Sequence, residues 1–271
     1  MRHQPGKHNQ QNHAGAKVRA GTRFDELSPE GQKAVRDAES KYGVSQAGMV
    51  AEINSKITDE NLVAGKQWYE EAKAFNTDLA AKSGMSIEQV TAITSATSAR
   101  TRWPKNKELA ERVAMKHKDY PDMEPTFRDK KGKLDTPTEA AARKMGGGLV
   151  RNNLSPAMEI ARGGSIDEHL TGVKRRSFFN NMIDPEGSTD ITVDTWMLRA
   201  PMNSTNRKDG LSLTDAGKFL NDSEKITKGG AGYVSISEAV NTVAKERGLK
   251  PHEVQAAYWI AVSGSKNGLS G

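Results

Sequence analysis

From Ser28 onward, apolar positions recur with the period of a helix, and β-branched alternation is scarce. The stretch SPEGQKAVRDAESKYG predicts a helix with Ser28 at the N-cap, Pro29 in its first position and Gly43 at its stop. In TDENLVAGKQWYEEAKAFNTDLAAKSG, residues Leu62, Gly65, Tyr69, Ala72, Phe75 and Leu79 share one stripe, and Gly84 ends it. SIEQVTAITSATSA opens on a capping box, Ser86 to Gln89, and then turns to small residues that let another helix or a ligand approach closely. Trp103-Pro104 marks a break before the helix PKNKELAERVAMKHK. TPTEAAARKMGGG, SPAMEIARGG and SIDEHL read as shorter helices, the first stopped by Gly146–Gly148. SISEAVNTVAKERGLKPHEVQAAYWIAVSG gives two more, divided at Gly248, with Pro251 starting the second. Residues 119–136, rich in Pro, Asp and Lys, and the polar 203–234 lack this period and read as long excursions. The expectation is an all-α fold, a two-lobed helical domain over residues 24–271.

Residues 1–23 change that picture at one end. They hold five Lys or Arg, no acid and almost no large apolar side chain, so they cannot bury enough surface to offset their ordering entropy. A disordered basic tail is expected. His3, His8 and His13 recur every five residues, which matches neither a helix face nor a strand face, so no metal site is expected. The whole chain of 271 residues carries a formal net charge of +6, which favours a polyanionic partner. It has no cysteine, which excludes disulfides, thiolate zinc sites, iron–sulfur clusters and cysteine nucleophiles. No apolar run approaches the roughly 18–20 residues of a membrane span, and the N-terminus lacks the apolar core of a secretory signal. A cytoplasmic or virion-associated protein with no membrane partner and no cofactor is expected.

The strongest local signal for chemistry runs from Ser165 to Ala200. A short helix, IDEHL, is followed by a turn at Thr171-Gly172-Val173-Lys174 and a second helix, RRSFFNNMI. Such a unit aims the N–H groups of its turn and second helix outward, where they can hold a nucleic-acid phosphate without reading sequence, and Lys174, Arg175 and Arg176 add charge. An ordinary corner with a solvated basic face fits the same pattern. Then comes ITVDTWMLRA, in which Asp194 stands where an N-cap would stand, before TWMLRA. A carboxylate at a helix start among apolar residues also has a chemical reading: it stabilises a developing sugar cation or activates a water.

The order LTGVKRRSFFNN…ITVDTWMLRA resembles the helix-hairpin-helix DNA glycosylase superfamily, best known from the endonuclease III group. That family carries a Leu-Pro-Gly-Val-Gly-type hairpin, a helix and then, some twenty residues later, a Val-Asp-Thr turn with the catalytic Asp. EQVTAITSATSARTRWPKNKELAERV upstream and HEVQAAYWIAVSG downstream resemble its flanking helices, so the similarity runs in consistent order from Ser86 to Gly264. It implies a DNA partner, a hairpin of Gly172 and Val173 gripping phosphate beside Lys174, Arg175 and Arg176, and Asp194 as the catalytic carboxylate. Thr171 stands in place of the hairpin Pro, and Lys174 in place of its second Gly. Arg176 occupies the place of the Schiff-base lysine of bifunctional members; a guanidinium stays protonated and does not serve as an amine nucleophile. Lys174 is expected to point elsewhere from the helix start. Trp196 replaces a usual His or Asn and is a candidate to stack on a base or to fill core.

Three functions stay open on these residues. One is a monofunctional glycosylase-type enzyme acting through Asp194. The second is a phage enzyme on the same scaffold that transfers a group to an activated base, with the small residues Ser95–Ala99 and Arg100, Arg102 and Lys105 facing a pyrophosphate leaving group. The third is a DNA-binding or virion protein that kept the fold and lost the chemistry. A bacteriophage setting is implied by PGKHNQQNHAG, which resembles a short motif of tailed-phage head proteins.

Overall fold

The computed structural model describes residues 23–264 apart from 122, 125–127, 146–149, 226 and 228. The basic tail (Arg23 apart), its three histidines and the glycines 146–148 therefore lie outside the described residues. The fold is all-α: thirteen α-helices and no named strand among the described residues, with a single isolated bridge between Arg128 and Leu134 inside the 119–136 loop.

Local signals place most helix ends. In α1 (Pro29–Tyr42), Ser28 Oγ accepts the Gly31 amide at 3.3 Å, and Gly43 closes the helix at φ 68°. The long α3 (Asp59–Ser83) starts on Thr58 and stops on Gly84, and α4 (Ile87–Thr97) carries the Ser86–Gln89 capping box. The helix α5 (Trp103–Lys116) leads into the loop, and α6 (Pro137–Met145) follows it. A π-helical turn, Val150–Leu154, runs directly into α7 (Ser155–Ala161). Next come α8 (Ile166–His169), α9 (Val173–Ile183) and α10 (Arg199–Asn203), and the chain ends in α12 (Ala231–Arg247) and α13 (Pro251–Ser263).

Two elements depart from the sequence reading. The helix α2 (Gln46–Lys56) is unforeseen: its only buried apolar side chains, Met49 and Ile53, make a stripe too narrow to register as amphipathic. The polar stretch 203–234 is only partly an excursion. It contains α11 (Leu213–Asn221), capped by Ser212 and anchored by buried Ala216 and Phe219, and the first turn of α12 with buried Tyr233 and Val234.

Two apolar clusters result. One gathers α1–α3 and α9–α13 around Trp68, Tyr69, Phe178, Phe219, Tyr258 and Trp259. The other gathers α4–α7 with smaller side chains such as Ala92, Ala96, Ala110 and Ala157. Phe75 packs against both. Each large side chain so buried contributes about 1.5–3 kcal/mol before entropy is counted. The crossing of α3 and α13 is close: a Cβ added at Gly65 would stand 2.7 Å from the Ala257 nitrogen and 2.8 Å from the Glu253 oxygen. Only glycine fits that approach.

Candidate functional site

The turn between α8 and α9 reverses direction at Gly172, whose φ of 88° is a left-handed conformation that disfavours any side chain. Arg176 then closes the unit on itself. Its Nε donates to the Leu170 carbonyl at 3.0 Å, and a terminal nitrogen donates to the Asp167 carbonyl at 2.6 Å. The guanidinium foreseen as a DNA contact therefore ties the second helix to the first. Val173, half-buried, packs against the aromatic cluster beside Gly229.

Lys174 and Arg175 take a different course. Together with Gly172 and Thr171 they line a cavity of about 350 Å³ whose other walls are Ala99, Arg100, Asn152 and Asn153. Arg175 is held by the Asn152 carbonyl and by Asn153 Oδ1 at 3.2 Å, and its own carbonyl accepts Ser95 Oγ at 2.7 Å. Asn153 in turn donates to the Ala99 carbonyl at 2.7 Å. Three separate backbone irregularities thus meet here: the hairpin, the π-helical turn and the 98–101 turn. In the last, Arg100 has a φ of 57°, a left-handed conformation that costs a non-glycine residue about 1 kcal/mol and that clusters at working sites. Lys174, half-buried, makes no hydrogen bond or ion pair with any described residue, and burial pushes its ammonium below the usual lysine range.

The charge that Lys174 feels most is that of Asp194. The helix α10 begins only at Arg199, so Asp194 does not cap it as expected. Its Oδ1 instead accepts the Trp196 amide at 2.9 Å and the Met197 amide at 3.2 Å, closing a tight turn, and accepts Trp259 Nε1 at 2.6 Å. Every described hydrogen bond falls on Oδ1, which leaves Oδ2 without a protein partner among the described residues. Asp194 is only 4% exposed, and burial raises its carboxyl above the ordinary aspartate value against the opposing pull of Lys174, Trp259 and the two amides. Lys174 and Asp194 thus feel each other's charge without forming an ion pair.

The irregular segment that carries Asp194 is fixed by side chains from four helices. Tyr233 donates to the Ile191 carbonyl at 2.6 Å, Asn181 binds Ser188 Oγ at 2.6 Å and Thr192 at 3.3 Å, and Tyr69 bridges to Gln255 at 2.9 Å. Polar groups that would otherwise be buried unsatisfied are thereby satisfied without a strand or helix.

The remaining predicted residues do not join the cavity. Lys105 pairs with Glu108 at 2.8 Å, and Arg102 is exposed ahead of α5; of that basic group only Arg100 reaches the wall. Trp196 is half-buried against the aromatic cluster, with the Arg199 guanidinium 5.8 Å from its ring centroid. Trp259, Asn152 and Asn153 were not anticipated: their roles depend on contacts far along the chain, and no local pattern marks them. No group of His, Cys, Asp and Glu able to hold a metal occurs among the described residues. No helix among them is long and apolar enough to cross a membrane.

The chain is thus an all-α protein with a cation-lined cavity and a nearby buried carboxylate. It belongs to the family of unknown function DUF7178, whose profile matches residues 34–266 and so spans every wall of the cavity and Asp194. No curated protein and no solved structure matches it.

Proposed function

We propose that this protein is a DNA-binding enzyme of the glycosylase kind, which breaks the N-glycosidic bond of a base through Asp194 without a Schiff-base lysine at position 176. The observation that carries this reading is the pairing of opposites: a buried carboxylate with a free oxygen, and an unpaired lysine on a basic cavity under its influence. Groups held in uncompensated charge states concentrate at working sites, because a merely structural position would be satisfied or apolar. In the reaction, the cavity cations and the hairpin amides hold the DNA backbone. The Asp194 carboxylate stabilises the positive charge that develops on the sugar as the base departs, or takes the proton of the attacking water.

The test is incubation with duplexes carrying damaged or modified bases, followed by cleavage at abasic sites. Base release by the wild type, reduced at least about a hundredfold in Asp194→Asn, is expected. Release that survives the substitution overturns the role of Asp194. Absence of release, with DNA binding intact, favours the non-catalytic DNA-binding or virion protein. A second reading, group transfer to an activated base on the same scaffold, draws on the gathering of Arg100, Lys174 and Arg175 around one cavity, a set suited to a pyrophosphate leaving group. Mass spectrometry of phage DNA nucleosides with and without the gene decides it, and an unmodified pool rejects it.

A further inference from the structure

The Asp194 carboxylate is anchored by donors of two kinds. The Trp196 and Met197 amides belong to its own turn and move with it. The third donor, the Trp259 indole at 2.6 Å, comes from α13, sixty-five residues away. The ring of Trp259 cannot follow a moving carboxylate. It is 2% exposed and is packed edge-on against Trp68 at 6.0 Å and Phe178 at 6.5 Å, and Trp68 is itself against Trp103 at 5.0 Å. A buried indole N–H needs an acceptor, and satisfying that need is the bland account of the contact. The bland account does not explain why all three donors fall on one oxygen of a carboxylate that carries no paired cation.

We propose that Trp259 is the positioning residue for the reaction carried by Asp194: its indole N–H pins Oδ1 to the scaffold and so presents Oδ2 as the acting oxygen. This rests on the reading of Asp194 as the working carboxylate. Without the indole, the carboxylate turns about its Cβ–Cγ bond with only its own turn to restrain it, and the charged form loses a strong donor.

Three measurements on the full chain test the proposal. In wild-type protein labelled with ¹⁵N-tryptophan, the Trp259 indole resonance is expected to follow the titration of the Asp194 carboxyl, and to lose that step in Asp194→Asn. This reading needs no variant at Trp259 and survives if such a variant fails to fold. In Trp259→Phe, the carboxyl is expected to titrate about one pH unit higher. The acid limb of the base-release profile should move with it, and kcat should fall about tenfold with KM little changed. An indole resonance that stays flat while the carboxyl titrates, or an acid limb unmoved in Trp259→Phe, overturns the positioning role while leaving Asp194 itself standing. If the wild type releases no base at all, the catalytic reading falls, and the role of Trp259 in the reaction falls with it; the two titrations still decide whether the indole controls the carboxylate.

Discussion

At the seam between α1 and α12, the buried Glu39 carboxylate receives Arg36 at 2.8 Å, Gln46 at 2.6 Å and Ser235 at 2.6 Å, and Arg36 reaches on to Glu238 at 2.8 Å. At the base of the hairpin region, Asp194 is buried to a similar degree, yet Lys174, whose charge acts on it, forms no ion pair with it. The first carboxylate is neutralised by its neighbours and joins three helices, α1, α2 and α12. The second is oriented by its neighbours and left uncompensated. Two acids buried alike therefore differ in the completeness of their charge partners, and that difference, not burial, is what the proposed role of Asp194 draws on.

The sharpest way to break this comparison is to neutralise each acid in turn. Glu39→Gln is expected to cost about 1–2 kcal/mol in urea unfolding, because it leaves Arg36 with Glu238 as its one carboxylate and weakens the buried acceptor of Gln46 and Ser235. Asp194→Asn should do the opposite at neutral pH. The folded carboxyl titrates above its unfolded value, so the stability tied to its protonated form is complete below the ordinary aspartate range and is lost as pH rises through the folded value. Asparagine keeps the Oδ1 acceptor and removes that loss, so in melts from pH 3 to 8 the variant should become the more stable of the two toward the upper end. Destabilisation there would make Asp194 an ordinary turn cap.

A smaller effect is expected at the cations. Lys174→Met should weaken DNA binding evenly across sequences and lower the slope of log Kd against log salt by about one. An unchanged slope would mean that Lys174 meets no phosphate. The smallest effect concerns His252, buried edge-on to Tyr69 at 5.3 Å, with Nδ1 lacking a partner and burial holding its imidazole below the ordinary histidine value of 6.5. A depressed value means that the linked stability is complete above that ordinary value and is lost as pH falls through the folded one. His252→Gln should flatten this acid-side loss in melts between pH 7 and 4.

The elements that were legible in the sequence are those with punctuation at both ends. Ser28-Pro29 and Gly43 bracket α1, the Ser86–Gln89 box opens α4, and Gly248 with Pro251 separates α12 from α13. The unread ones lack either punctuation or breadth: α2 buries a two-residue stripe, and α12 begins directly after Gly229-Gly230 inside a polar stretch. The site divides in the same way. Asp194, Gly172, Lys174 and Arg175 lie in one short segment whose order drew attention. The inward turn of Arg176 is made within the hairpin, to carbonyls six and nine residues back, and no residue type there announces it; the indole on Asp194 depends on packing between distant helices, which no window of sequence contains.

Gly65 carries a consequence for heredity as well as for geometry. It touches neither the cavity nor the carboxylate, but a single methyl group there would prise α3 from α13 and carry Trp259 with it. A codon for a residue outside the cavity thus acts as a fulcrum, and a variant at that position would shift Trp259 by leverage while leaving Asp194 and the cavity residues unsubstituted.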